Sequence, residues 1–367
     1  MLHLAIEINM FGRCRSRNKH FTTVLQYLSH NTRASGAMKP HQYQRVLVAG
    51  GAGFIGSHIV DKLLEDDVEV TVFDNLSTGL MESLEQHKQD KNLHFVKGDI
   101  RDVEQAKVAV KNIDAVLNNA AVVSVRLSID NPMLVNDVNV NGALNLLKAS
   151  VDSGVKRFVQ ASSASVYGDP ETLPVIESML PRPISPYAVS ELAAESYAKA
   201  VYRTYGLETV CLRYFNVYGP RQSHSPYTGA ITIFMNQLLN DQPVTVFGDG
   251  KQTRDFVYVE DVASANMLAL RRKEAVGDVF NIATGTATSV NQLVKTLMRI
   301  RGNARTKPLH VESKPGEIKH SCASIEKAKK VLGYKPIFAI DDGLTHLIKW
   351  YASKPSGLSQ DQKRPSS

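Results

Sequence analysis

Gly50, Gly53 and Gly56 carry the most specific chemistry in this chain of 367 residues, together with Asp74, which lies 18 residues beyond Gly56. The string reads Gly50-Gly51-Ala52-Gly53-Phe54-Ile55-Gly56. Glycine allows a tight strand-to-helix turn and lets a pyrophosphate approach bare backbone. The start of the following helix offers unpaired N–H groups and a positive dipole end. A carboxylate at this spacing grips adenosine ribose hydroxyls and repels a 2′-phosphate, so the pattern favours NAD over NADP. A lone glycine pattern is weak, but here a β-branched run at 46–49 precedes it and apolar residues at helical spacing follow it.

The elements that must position these residues alternate between strand and helix. Strands are expected at 68–73, 93–97, 114–118, 155–162 and 207–214, and a helix at 134–153. Another helix begins at Pro186, with Ser185 as its N-cap and proline at the first helical position. Such alternation predicts an α/β fold with a doubly wound parallel sheet, which binds ligands beyond the carboxyl ends of its strands. Asp74, Asp99, Asn119, Ser163 and Asn216 all fall at such ends. Beyond Asn216 the pieces shorten and Pro and Gly become frequent, which predicts a smaller substrate-binding α/β domain. The expected organisation is a basic leader at 1–44, an NAD-binding Rossmann domain at 45–215, a second domain at 216–353 and a flexible tail at 354–367. Part of the second domain is free to return to the first sheet.

The formal charge of +7 is unevenly placed, because residues 1–45 contain seven Arg and Lys but only one acid, Glu7. The rest is nearly neutral, which argues against a nucleic-acid-binding face. No apolar run approaches the roughly 18 residues of a membrane span. Cys14, Cys211 and Cys322 are far apart, which suggests a reducing, cytoplasmic setting and neither a disulfide framework nor a zinc site. His310 and His320 are single histidines with structural roles, and no metal is expected. Lys327, Lys329 and Lys330 read as a solvated helix face. Three readings of the leader remain open: a targeting segment, a disordered tail, or translation starting at Met38.

The chain from about Arg45 to Tyr351 resembles the extended short-chain dehydrogenase/reductases, and within them the UDP-hexose 4-epimerases. The likeness rests on the glycine string, Asp74-Asn75-Leu76, Gly98-Asp99-Ile100 and Asn139-Val140-Asn141-Gly142. It continues through Ser162-Ser163-Ala164-Ser165-Val166-Tyr167-Gly168, Ser185-Pro186-Tyr187-Ala188-Val189-Ser190, the run from Arg213 to Gln222 and Thr253-Arg254-Asp255-Phe256-Val257. The resemblance implies that Gly50, Gly53, Phe54, Ile55 and Gly56 hold the pyrophosphate of NAD, and that Asp74 and Asn75 hold its ribose. It places Asp99 and Ile100 at the adenine, with Asn119, Ala120, Ala121 and Asn139 lining the cofactor. Ser163 would bond the sugar 4-oxygen, Tyr187 would move its proton, and Asn216, Arg254 and Lys314 would hold the UDP diphosphate. Lys314 stands where the family usually has arginine, which costs the planar fork. Ser321 falls where sugar size is tuned, and its small side chain leaves room for an N-acetyl group. A homodimer through two helices of the first domain is also implied.

One departure bears directly on the chemistry. The family carries a lysine four residues after the tyrosine, where it lowers the phenol pKa, and this chain has Glu191. A unit charge at about 5 Å with an effective dielectric near 20 is worth about 3 kcal/mol, and reversing it should act in the direction of keeping the phenol protonated. Glu191 then marks an inactive or repurposed homologue, an altered residue, a site where another base has taken over, or merely a solvated helix position. Lys199, expected to pair with Glu195 as an i,i+4 partner, lies too far along the helix to replace the missing charge. The expected function is NAD-dependent C4 epimerisation of a UDP-hexose or UDP-N-acetylhexosamine. Alternatives are nucleotide-sugar and NAD binding without turnover, 4-keto reduction, and 4,6-dehydration. For the last, Ser163-Ala164-Ser165 offers no Asp-Glu pair.

Overall fold

A computed structural model describes residues 42–222, 229–302, 307–313 and 318–353. Lys314, the segment 223–228, the leader through residue 41 and the tail from residue 354 lie outside the described residues.

The first half alternates as expected: β1 (Arg45–Ala49), α1 (Phe54–Glu65), β2 (Glu69–Asp74), β3 (Leu93–Lys97), α2 (Val103–Ala109) and β4 (Ala115–Asn118). There follow α3 (Val125–Asp130), α4 (Pro132–Asn136), α5 (Ala143–Asp152), β5 (Arg157–Ser163), α6 (Pro186–Tyr205) and β6 (Glu208–Tyr214). The second half holds β7 (Asn216–Tyr218), α7 (Ala230–Leu239), β8 (Thr245–Phe247), β9 (Thr253–Tyr258), α8 (Val259–Arg271) and β10 (Val279–Ile282). It closes with β11 (Ala287–Ser289), α9 (Val290–Arg301), β12 (Leu309–Val311) and α10 (Ile340–Ser353).

Seven strands form one sheet in the order β3-β2-β1-β4-β5-β6-β10, every neighbouring pair parallel. The strand order reverses between β1 and β4, and that reversal opens a crevice at the carboxyl ends. Ile59 and Leu63 of α1 and Val262 and Leu270 of α8 bury one face. Leu146 and Leu147 of α5 and Ala198 and Val201 of α6 bury the other. A parallel sheet covered on both faces explains why its central strands β1 and β4 are continuous apolar runs without alternation.

Strand β10 belongs to the second half of the chain yet completes the first sheet, Val279 standing opposite Cys211 of β6. The remaining late strands form a separate sheet, β11-β9-β7, and a β12-β8 pair. These lie on their own core of Tyr218, Phe234, Met235, Tyr258, Leu293 and Leu344. Tyr43, which composition assigns to the leader, is 1% exposed and part of the main core.

The single helix expected at 134–153 is interrupted. Between α4 and α5 the residues Asp137–Gly142 form a π-helical turn. The extra residue swings Asn139 inward to bond the backbone of Val122, and brings Gly142 so close to Ile100 that a Cβ would sit 2.6 Å from Ile100 Cδ1. Such turns often occur at functional sites. Helix α6 begins as its sequence dictates: Ser185 Oγ accepts the Ala188 N–H at 3.2 Å, with Pro186 in the first turn.

Candidate active site

The glycine turn is built by close packing. Gly50 has φ +73°, and a Cβ there would meet Ala120 N at 2.8 Å; at Gly56 a Cβ would lie 2.1 Å from Gly50 O. The β1–α1 turn is thereby pressed against the turn after β4, and Phe54 and Ile55, half-buried, open α1. Asp74, at the end of β2, is buried and accepts the Ala52 N–H at 3.0 Å and the Leu76 N–H at 2.8 Å. Each carboxylate oxygen retains a lone pair for a further donor.

Asp99 accepts from Asn75 Nδ2 at 2.9 Å and from Arg101 Nη2 at 2.8 Å. The Arg101 guanidinium holds its carboxyl well below the usual carboxylate range. Ile100 is buried beside Gly142. Asn119 Oδ1 accepts from the Tyr214 phenol at 3.2 Å, whereas Asn119 Nδ2 is buried with no hydrogen-bond partner. A glycine-rich turn, an acid at the second strand and an orphaned donor in the crevice fit the pyrophosphate, the ribose and a polar group of a dinucleotide.

Beside this crevice stands a second group. Ser163 ends β5, caps the following turn by accepting the Ser165 N–H at 3.1 Å, and stands beside the Tyr187 phenol. Burial pushes that phenol well above its ordinary pKa, Glu191 adds to the effect, and Ser163 opposes it. Glu191 is 6% exposed, which removes the reading of a solvated helix residue. Its Oε1 accepts from Asn139 Nδ2 at 3.3 Å, and the same Nδ2 donates to Ser190 Oγ at 3.1 Å.

Burial, reinforced by Glu195, pushes the Glu191 carboxyl up to about 8. At neutral pH Glu191 is therefore largely uncharged. Glu191 thus acts on the phenol in the direction expected from sequence, and its strength is limited because a buried acid next to a second carboxylate tends to hold its proton. The expected Lys199–Glu195 pair does not form either. Glu195 is 2% exposed and receives Arg213 through both oxygens, at 2.7 and 2.8 Å, and Ser162 Oγ at 3.1 Å.

A cavity of about 180 Å³ opens beside Ser163 and is lined by Ser165, Tyr167, Asn216, Arg254 and Ser321 among others. Arg254 Nη1 donates to Thr253 O at 2.8 Å, and the Ser321 N–H donates to Thr253 O at 3.1 Å. Ser165 Oγ is buried in this wall without a partner. Arg221, in the string after Asn216, turns back to the first half: its Nη2 meets Asp61 Oδ2 at 2.6 Å, while His58 Nε2 lies 3.1 Å from Pro220 O. Burial and Arg221 push His58 down to about 4, so it is neutral there.

The described residues of the sequence-derived set thus fall into two adjoining groups, a glycine crevice and a serine–tyrosine cleft. Arg213 was missed because its partner Glu195 is distant in sequence, and Tyr167 because its phenol is consumed by Asn281 at 2.7 Å. His310 Nδ1 lies 2.8 Å from Gly248 O and His320 Nδ1 3.0 Å from Thr253 Oγ1, both structural contacts. Lys327 departs from a solvated face, since it pairs with Asp278 and covers the Phe280 ring at 5.0 Å. Among the described residues no cluster suits a metal ion, and no helix is long and apolar enough to cross a membrane.

Comparison with known proteins gives the following. A profile described as the NAD dependent epimerase/dehydratase family matches residues 46–283. A UDP-glucose 4-epimerase of Mycolicibacterium smegmatis is 35% identical over 312 residues, which cover 84% of this chain and 99% of the relative. The solved UDP-N-acetylglucosamine 4-epimerase of Methanobrevibacter ruminantium M1, in complex with UDP-N-acetylmuramic acid, has a TM-score of 0.81 at 37% identity, with 84% and 98% covered. DesIV of Streptomyces venezuelae, a dTDP-glucose 4,6-dehydratase solved with NAD, has a TM-score of 0.79 at 33% identity, with 84% and 97% covered.

Proposed function

The chain belongs to the NAD-dependent epimerase/dehydratase family, and from that premise we propose that it inverts C4 of a UDP-hexose or UDP-N-acetylhexosamine through a 4-keto sugar. The observation that carries this reading is the placing of Ser163, close enough to act on the Tyr187 phenol, in the wall of the cavity that also holds Asn216, Arg254 and Ser321. Bound NAD supplies a reversible acceptor for the C4 hydride. In this reading Ser163 orients the 4-hydroxyl, and Tyr187 takes its proton and returns it to the same oxygen when C4 regains its hydride on the opposite face. Asn216 and Arg254, with Lys314, hold the diphosphate. Gly50, Gly53, Phe54, Ile55 and Gly56 hold the cofactor pyrophosphate, Asp74 and Asn75 its ribose, and Asp99 and Ile100 its adenine. Asn119, Ala120, Ala121 and Asn139 line the rest.

Turnover is held low by the raised phenol of Tyr187. Binding of nucleotide sugar and NAD without turnover is a second reading, favoured by Glu191 in place of a cation. Dehydration is favoured by the likeness to DesIV, but the string Ser163-Ala164-Ser165 offers no Asp-Glu pair. The test is incubation with UDP-glucose and UDP-N-acetylglucosamine in deuterated water. Inversion at C4 without solvent deuterium at that carbon, abolished in Tyr187→Phe, is expected. Deuterium at C5 or C6 with loss of water would mean dehydration, and no product from either sugar would leave binding alone. The small Ser321 side chain supports acceptance of the N-acetyl sugar.

The homodimer also belongs to this reading. Val123, Ile129, Met133 and Val189 are 67%, 64%, 76% and 52% exposed on or beside α3, α4 and α6, which pack together. Covering such a patch is what a second copy would do. Gel filtration at micromolar concentration should give a dimer, and a monomer would count against it. The thiols of Cys211 and Cys322 are free, in keeping with a cytoplasmic setting.

A further inference from the structure

We propose that Glu191 discriminates oxidised from reduced cofactor by releasing its proton to solvent only when the cationic nicotinamide ring lies beside it. The inference rests on the binding of NAD and not on the sugar chemistry.

Position is the first part of the argument. Asn139 ties Glu191 to the turn leaving β4, since it donates to Glu191 Oε1 and to Val122 O and accepts the Val122 N–H at 2.7 Å. Val122 directly follows the Asn119–Ala121 turn that presses on Gly50. In a doubly wound sheet a dinucleotide spans the switch point, one half on each side. With the adenosine half at Asp74 on β2, the nicotinamide half falls on the β4–β5 side, where Glu191 sits. Glu191 Oε2 makes no hydrogen bond to a described residue, which leaves one oxygen for the cleft.

Charge is the second part. The groups facing Glu191 are few. From its own helix they are Tyr187 and Glu195, and from β6 they are Arg213 and Tyr214. Serine hydroxyls come from β5, and the neutral Asn139 from the π-helical turn. Arg213 is committed to Glu195 through both oxygens, so among the described residues Glu191 lacks a cation of its own. Burial and Glu195 hold its proton up to about pH 8. A fixed positive charge brought beside it lowers that value, and the proton leaves to solvent.

The sign follows from linkage. An acid with its pKa lowered by a ligand loses a proton on binding, so affinity for that ligand rises with pH until the free protein is itself deprotonated. The ratio of NAD to NADH affinity should therefore rise up to tenfold per pH unit below about pH 8 and level off above it. The two cofactor forms share their phosphates and riboses and differ in ring charge. Titration of His58 or any group near the pyrophosphate cancels in the ratio.

Equilibrium dialysis of the full chain against NAD and NADH mixtures of known ratio, from about pH 6 to about pH 9, followed by extraction and quantification of both bound forms, reads this directly. The expected result is a ratio that climbs at least tenfold in the unaltered chain and stays flat in Glu191→Gln. Glu191→Lys should shift the ratio toward NADH at every pH and likewise remove the slope. A flat ratio in the unaltered chain, an equal slope in Glu191→Gln, or no bound nucleotide at all would overturn the proposal.

Discussion

Glu191→Lys is expected to raise the rate of C4 inversion by about a hundredfold. Tyr187 is buried with a raised phenol, and among the described residues of the unaltered chain Ser163 alone favours its ionised form. A lysine at 191 places a unit charge one helical turn away, on the same face of α6. At about 5 Å and an effective dielectric near 20 that charge stabilises the phenolate by about 3 kcal/mol, which is roughly a factor of one hundred. Because Glu191 is largely neutral at pH 7, the gain corresponds to one added charge and not to two. Glu195, one further turn along, is a carboxylate that can share its charge with the new ammonium as well as with Arg213. The gain should grow as the pH passes about 8, where Glu191 ionises in the unaltered chain, and shrink above about pH 10, where the added lysine loses its own proton. Initial rates with UDP-glucose, with bound NAD quantified in both proteins, check this. An unchanged rate with the cofactor retained would mean that another group activates Tyr187.

The largest stability effect should come from Arg213→Met, a loss of about 3–5 kcal/mol. Arg213 and Glu195 are each about 3% exposed at the side chain and meet through two charge-assisted bonds. The guanidinium also lies 4.8 Å from the centre of the Tyr167 ring. Removing it strands Glu195 as a buried carboxylate, with the acid of Glu191 beside it and Ser162 as its remaining donor. Breaking one side of a buried pair costs much more than replacing both. The double variant Arg213→Met, Glu195→Gln should therefore recover most of the loss. Urea unfolding of the four proteins of this cycle measures the coupling. A single-variant loss below about 1 kcal/mol would mean that water reaches the pair.

The sequence by itself determined the order of strands and helices in the first half, the glycine turn with its acid, and the helix start at Ser185. These are local signals: β-branched runs, glycines at a tight turn, a hydroxyl before proline. The Glu191 substitution was equally legible, because it breaks a short string. Its consequence was not. Whether Glu191 carries charge depends on burial and on Glu195, and Glu195 in turn depends on Arg213, 18 residues away on strand β6. Local spacing favoured Lys199 as the partner, whereas the fold brought β6 under α6 and gave Glu195 a planar, desolvated guanidinium instead. The π-helical turn that aims Asn139 at Val122 was hidden for the same reason, since it answers to a close contact between Gly142 and Ile100 and not to hydrophobic period. Likewise β10 joined the first sheet across a long insertion. Residue types near one another in sequence set the elements and the candidate chemistry. Protonation states and partners were decided only by tertiary structure, because desolvation and Coulomb interactions depend on distance in space.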